Sequence, residues 1–480
     1  MGLTFCQSFS REKIMVFSSL VFLCIFMPIT LLIYYLLPSI KLKNALLIVA
    51  SLIFYAYGEP VYIILMIGST VVNYLAGRWI SCEKKKYRII VAVVVNLLFL
   101  GIFKYADMAV VTLNQMFRLD IPVPGIKLPI GISFFTFQIM SYIIDVYRGD
   151  ADVQKNYWRL LLYISFFPQL IAGPIIKYHD VAEQIENREM CVERVGKGFR
   201  RFIIGLSKKV LISNTVALTA DKIFALDLSR VNMATAWIGA IAYLLQIYYD
   251  FSGYSDMAIG LGHMFGFDFM ENFQYPYEAR TIQEFWRRWH ISLSTWFKEY
   301  LYIPLGGNRK GTARTCMNKM IVFFCTGLWH GANWTFVLWG LYHGMFLLLE
   351  EVVPVRKLPR IWGHIYNLII VTVGFVVFRA DTISQGLGIV YRMFCGWDLS
   401  GDMMNVAVRY CTPLLIFVVI IGFFGAFSWK RRAENYLMQK SIGVQNFVEV
   451  ETYVAAIGLL LLCMLSLSSG TYNPFIYFRF

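Results

Sequence analysis

The chain has 480 residues, 58% of them hydrophobic and only 15% charged, with 39 Phe, 29 Tyr and 12 Trp. That balance excludes a soluble globular domain: several apolar runs reach the roughly 20 residues a spanning helix needs, and the alternating pattern of barrel strands is missing, so the fold expected is an all-α integral membrane protein. The net charge of +14 fits Lys and Arg retained in cytoplasmic loops better than a nucleic-acid partner, and the nine cysteines show no metal-ligand spacing and read as small hydrophobes.

Residues 1–14 read as a short polar extension, with a membrane domain from 15 to 480 and Met15 as a second candidate start. A first span ends at Leu37 and is too long for a secretory signal. Apolar pieces from Ala45 to Tyr57 and from Val61 to Trp79 flank the breaker Gly58-Glu59-Pro60. The basic loop Glu83-Lys84-Lys85-Lys86-Tyr87-Arg88 belongs in the cytoplasm, and counting back through three crossings puts Lys41 and Lys43 inside and the N-terminus outside. A span from Ile89 to Phe103, an external loop bearing Pro122, Pro124 and Pro129, and a span from Ile130 to Tyr147 follow. The run from Trp158 to Ile176 contains Pro168, Gly173 and Pro174, so it is a broken or re-entrant element, tolerated at membrane depth only inside protein or beside a cavity.

Gly198 to Val210 mixes bulky apolar and basic residues and suits a helix lying on the inner leaflet. The apolar section Ala236 to Phe267 carries Tyr248, Tyr249, Asp250, Ser252, Tyr254, Ser255 and Asp256, too polar to face lipid, and is expected in the protein interior. Further spans are expected at Asn333–Leu349, Ile365–Phe378, Val406–Phe427 and Tyr453–Leu467. Lys430-Arg431-Arg432 would hold the last loop inside, leaving Pro474 to Phe480 outside, for partner contact or for anchoring at the bilayer surface.

Two histidines stand out. As one helix, Phe285 to Tyr300 places Trp286, Trp289, His290, Leu293, Trp296, Phe297 and Tyr300 on one side and Arg287, Arg288, Thr295, Lys298 and Glu299 on the other. This pattern is equally that of an interfacial helix with His290 merely packed. The loop Gly306-Gly307-Asn308-Arg309-Lys310-Gly311 offers Arg309 and Lys310 to phosphates, or is only a topology signal. His330 lies in the apolar run Met320–Trp339 between Trp329 and Trp334, with Asn333 one turn away; Gly331 and Ala332 leave room for a backbone or a thin ligand. It is either a structural histidine bonded between helices or a base, since a neutral imidazole suits removing a proton from a hydroxyl near pH 7. His343, thirteen residues on, need not share the site. With no Gly-x-Ser-x-Gly motif, direct transfer is favoured over a covalent enzyme.

The stretch Gln283-Glu284-Phe285-Trp286-Arg287-Arg288-Trp289-His290-Ile291-Ser292-Leu293-Ser294-Thr295-Trp296, with Leu328-Trp329-His330-Gly331-Ala332, closely resembles the signature of the membrane-bound O-acyltransferases, in their bacterial alginate O-acetylase branch. Met15-Val16-Phe17-Ser18-Ser19 and Pro474-Phe475-Ile476-Tyr477-Phe478 match that branch too. The resemblance implies a ring of about ten to twelve transmembrane and re-entrant helices around a central cavity in the bacterial cytoplasmic membrane. It also implies His330 and His290 as active-site residues and no bound cofactor. An acyl thioester, acetyl-CoA or another, would serve as cytoplasmic donor, and an extracytoplasmic partner would pass the acetyl group to a polysaccharide. Joined to the residue reading, His330 would act as base, with His290 and Asn333 orienting the acceptor or stabilising the oxyanion. Trp286, Trp329 and Trp334 would exclude water. The alternatives are a D-alanyl transferase acting on teichoic acid and, from another class, a polysaccharide or lipid transporter.

Overall fold

The computed structural model describes residues 15–171, 173–429, 433, 436–437, 440–470 and 472–476. The N-terminal extension, Lys430-Arg431-Arg432 and residues 477–480 lie outside them. Among the described residues the chain is helical with no strand. Helices α1 (Phe22–Leu36), α2 (Ile40–Gly58), α3 (Tyr62–Cys82), α4 (Lys86–Phe117) and α5 (Ile132–Arg148) occupy the expected early spans. Glu59 and Pro60 separate α2 from α3, as the breaker predicts. The broken element is α6 (Tyr157–Ser165) and the single turn α7 (Phe167–Leu170), the chain then running extended to α8 (Tyr178–Glu186). Next come α9 (Val192–Phe224), α10 (Met233–Met264), α11 (Ile282–Arg288), α12 (Ile291–Phe297), α13 (Thr312–His330), α14 (Trp334–Val352), α15 (Arg360–Arg379) and α16 (Ile383–Cys395). Then α17 (Gly401–Tyr410), α18 (Pro413–Gly425) and α19 (Ile442–Ser468) complete the order. Six of these, α2, α3, α4, α9, α15 and α19, are long and apolar enough to cross a bilayer, or seven if α17 and α18 count as one span.

Three expectations change. Gly198–Val210 does not lie along the inner leaflet; it is the middle of α9, a 33-residue helix packed lengthwise on α10. A Cβ on Gly205 would stand 2.5 Å from the Gly253 carbonyl, and one on Gly253 2.7 Å from the Gly205 carbonyl, an approach only glycine permits. Three basic residues of α9 pair with carboxylates of the protein rather than with headgroups: Arg201 and Lys208 with the partly buried Asp256 at 2.9 and 2.6 Å, and Lys209 with the buried Asp250 at 2.6 Å. Next, the Val406–Phe427 run is not one straight span. α17 and α18 bend by 63°, where Thr412 caps α18 and Pro413 opens it with no N–H to offer the preceding turn.

Finally, residues 474–476 are not a free outer surface. Lys209 donates to the Pro474 carbonyl, the Ile476 N–H donates to Asp250 at 2.7 Å, and the Phe475 ring sits 4.7 Å from that of Tyr254. As expected, α10 is buried along most of its length.

Contacts define two ends of the bundle. Lys84 abuts Gly149 after α5, and Arg148 donates to the Glu299 carbonyl at 3.0 Å, so the Lys84–Lys86 loop and the segment after α12 share a basic end. α13 leads away from that end and α14 returns to it, where Arg280 packs on Gly363. At the opposite end Asp107 accepts from the Gly125 N–H at 3.0 Å, and Asn333 donates to the Asp381 carbonyl at 2.9 Å.

Candidate active site

The predicted single helix from Phe285 to Tyr300 is broken. α11 stops at Arg288, α12 starts at Ile291, and His290 between them has φ of +45°, a left-handed conformation that costs a non-glycine residue of order 1 kcal/mol or more unless its surroundings hold it. Asn272 supplies the hold. Its carbonyl accepts from the Ile291 N–H at 3.0 Å, and its Oδ1 accepts from the Ser292 N–H at 3.2 Å and the Ser292 hydroxyl at 2.9 Å. The break divides the aromatic face between two apolar cores: Phe285, Trp286 and Trp289 join the one built on α10 and α15, while Leu293, Trp296 and Phe297 join the one built on α5 and α6.

Asn272 also sets the chemistry of His290. Because Oδ1 already accepts from the Ser292 amide, it is an acceptor toward the His290 Nδ1 atom 3.2 Å away, so Nδ1 carries the proton and donates. Nε2 is then a lone-pair acceptor, and no partner occupies it among the described residues. His290 is fully buried. A neutral imidazole in this tautomer can accept from a hydroxyl and so orient it; it has no N–H left for an oxyanion.

His330 is the last residue of α13 and is buried, with its ring centre 6.3 Å from that of His290. Trp329 lies 5.7 Å from His290, while Trp339 and Phe378 close on the His330 ring at 5.1 and 5.2 Å. Neither His330 ring nitrogen has a hydrogen-bond partner among the described residues. The pair thus sits at the seam between the two cores, with Trp329 on one side and Trp339 and Phe378 on the other.

The other singled-out residues fall in different places. Trp286 is buried, its ring 5.5 Å from Trp339, a second layer behind His330. Trp334 is 48% exposed and donates to the Thr112 hydroxyl at 3.2 Å, so it does not wall off the site; it opens α14 on the outer side of the turn. Asn333 is not one helical turn from His330, because the helix ends between them. Its Oδ1 caps α14 at the Thr335 N–H and its Nδ2 donates to Asp381. The room left by Gly331 is taken by the Phe336 ring, 2.2 Å from where a Cβ would be. Arg309 and Lys310 are exposed just before α13, whose 19 residues, about 28 Å long, separate them from His330 at its far end.

A cavity of about 310 Å³ at the opposite end is lined by Lys104, Asp107, Asn333, Phe336, Phe378 and Asp381, with His330 one ring below it through Phe378. A second, of about 290 Å³ at the basic end, is lined by Arg280, Arg287 and Arg356 with a single carboxylate, Glu284. Sequence reasoning missed Asn272, Lys104 and this arginine cavity. It also set His343 apart, yet the buried His343 ring lies 5.3 Å from Trp339, which bridges it to His330.

Fold and site together define a multi-pass membrane protein that keeps titratable side chains in its interior, between a cationic cavity at one end and a mixed-charge cavity at the other. The sequence model of the membrane-bound O-acyltransferase family matches residues 150–356. The chain is 41% identical to the "Probable alginate O-acetylase AlgI" of Pseudomonas putida, over 97% of this chain and all of that protein. It is 35% identical to a peptidoglycan O-acetyltransferase of Helicobacter pylori, over 80% of this chain and 81% of the relative. Against a teichoic acid D-alanyltransferase of Bacillus subtilis the figure is 27%, over 45% and 58%. The protein belongs to the membrane-bound O-acyltransferase family. It is an acyltransferase of the membrane, using an acyl donor and an acceptor, and the transporter alternative falls away.

Proposed function

We propose that the protein is an O-acetyltransferase that takes acetyl from a thioester at the basic end, cytoplasmic by the positive-inside rule, and delivers it at the opposite end for O-acetylation of a cell-surface polysaccharide through an extracytoplasmic partner. The observation that carries this reading is the pair of buried imidazoles 6.3 Å apart, with open ring nitrogens, between the arginine cavity and the Lys104–Asp107 cavity. His330 takes the proton of the attacking hydroxyl; the oxygen forms the new ester bond, the carbon–sulfur bond breaks, and the proton passes to the departing thiolate. His290 Nε2, with a lone pair and no N–H, accepts from a neighbouring hydroxyl of the acceptor and so positions the attacking one. Trp329 and Trp286, both buried, keep water from the thioester, whereas Asn333 acts through its cap on α14. Arg280, Arg287 and Arg356 supply cationic partners for the donor's phosphates, and the exposed Arg309 and Lys310 before α13 are further candidates. The full-length likeness to alginate O-acetylases and the likeness to a peptidoglycan O-acetyltransferase support acetyl over D-alanyl as the group moved.

The test is to reconstitute the protein in vesicles and supply either labelled acetyl-CoA or a labelled D-alanyl carrier protein at the basic end, with an alginate oligosaccharide outside. Label appearing on the far side from acetyl-CoA is the expected result; transfer only from the D-alanyl carrier would overturn it.

A further inference from the structure

The helix that carries His330 ends inside the protein, and its last carbonyls need donors. An α-helix leaves its final four C=O groups without intrahelical partners, and at membrane depth water does not supply them. At the end of α13 two consecutive carbonyls are met by two consecutive side chains of α4: the Tyr105 hydroxyl donates to Leu328 O at 2.6 Å, and the Lys104 ammonium donates to Trp329 O at 2.5 Å. Lys104 is only 7% exposed, and its Nζ also donates to the Ser133 hydroxyl at 2.9 Å and lies 6.0 Å from the Trp329 ring centre. Asp107, one turn along α4, is turned to the Gly125 and Ile126 amides instead. Burying an ammonium is costly, and these contacts spend it on the one peptide that links Trp329 to His330. A cation at a helix C-terminus is also favoured by the helix dipole.

We propose that Lys104 is a positioning residue for His330: its ammonium, steadied by Ser133, anchors the Trp329 carbonyl and so sets the direction in which the imidazole leaves α13. This rests on His330 being the base. Lys104 also lines the cavity at the opposite end, so the same group borders the space an acceptor would enter.

The test compares Lys104→Met, Lys104→Arg, Ser133→Ala and Tyr105→Phe in reconstituted vesicles, measuring kcat, donor KM and thermal unfolding. Lys104→Met is expected to lower kcat about 10²-fold with donor KM within about twofold, the loss that follows a misplacement of about 1 Å. Lys104→Arg recovers part of that loss, because a guanidinium can still reach the Trp329 carbonyl. Tyr105→Phe, which frees the neighbouring carbonyl only, stays within about threefold. If Lys104→Met does not fold, Ser133→Ala carries the test, with kcat about tenfold down at unchanged KM. Parent kcat in Lys104→Met or in Ser133→Ala overturns the inference. So does a kcat loss in Tyr105→Phe equal to that of Lys104→Met. A His330→Ala variant that keeps its activity refutes the reading beneath it instead.

Discussion

Gly340 on α14 is where a single methyl group should cost activity through the spacing of α13 and α14. A Cβ there would lie 2.2 Å from the Phe323 carbonyl of α13 and 3.2 Å from the Gly327 backbone, whereas ordinary contact begins at 3.4 Å. Gly340→Ala must therefore push the two helices apart by about 1 Å, and Gly327 is only three residues from His330. The distance between His330 and His290, and the fit of Trp339 on His330, change with it. A displacement of about 1 Å can cost about 10²-fold in rate, or about 2.7 kcal/mol of barrier, against about 1–3 kcal/mol of stability for overpacking. The assay is kcat for labelled acetyl transfer in vesicles, beside thermal unfolding of the same preparation. Gly344→Ala, one turn along, is the control: its Cβ would meet the flexible Met320 sulfur at 3.0 Å, and kcat should stay within about threefold. A folded Gly340→Ala protein with parent kcat, or equal losses in the two variants, would falsify the claim that the α13–α14 spacing aims His330.

Three further outcomes follow from particular contacts. Asn272→Ala removes the side-chain oxygen that fixes the His290 tautomer and accepts from the Ser292 amide and hydroxyl, so kcat should fall about 10- to 100-fold, as for other residues that orient a reacting imidazole; parent activity would show that Asn272 does not orient His290. Trp334→Ala should leave kcat within about twofold, since the ring is half exposed, and a large loss would return Trp334 to the site. At the basic end, His179 is held by hydrogen bonds to Asp145 at 2.9 Å and to Asp180 at 3.1 Å, which raise its pKa to about 10. A raised folded pKa adds stability that is fully present below the unfolded value of about 6.5 and is lost as pH rises through about 10. Thermal stability should therefore decline across that window, and His179→Gln should flatten the decline; an unchanged slope would show that other groups carry it.

Much of the architecture could be read from composition and spacing: the early spans, the break at Glu59 and Pro60, the broken run after Trp158 and the buried α10 all depend on local apolar pattern, which sets burial in lipid as in water. His290 and His330 stood out because an imidazole in apolar sequence needs a reason. What local pattern could not supply was any feature made by a distant partner. The left-handed turn at His290 depends on Asn272, 18 residues earlier, so a helical wheel drew a continuous helix through it. Gly198–Val210 has the charge pattern of a headgroup-facing helix, and only the carboxylates of Asp250 and Asp256 on α10 show where those charges go. Lys104 lies one residue beyond the expected Ile89–Phe103 span, where it read as a terminus rather than as the partner of a carbonyl 225 residues away. Trp334 was placed at the site by its nearness in sequence to His330, but the end of α13 turns it outward.

The claim on which the rest depends is that His330 is the base. Single-turnover acetyl transfer by His330→Gln, in vesicles where donor binding and unfolding temperature match the parent, tests it most directly. With His330 as base the rate falls about 10²- to 10⁴-fold with donor affinity unchanged; a rate within tenfold of the parent would contradict that role.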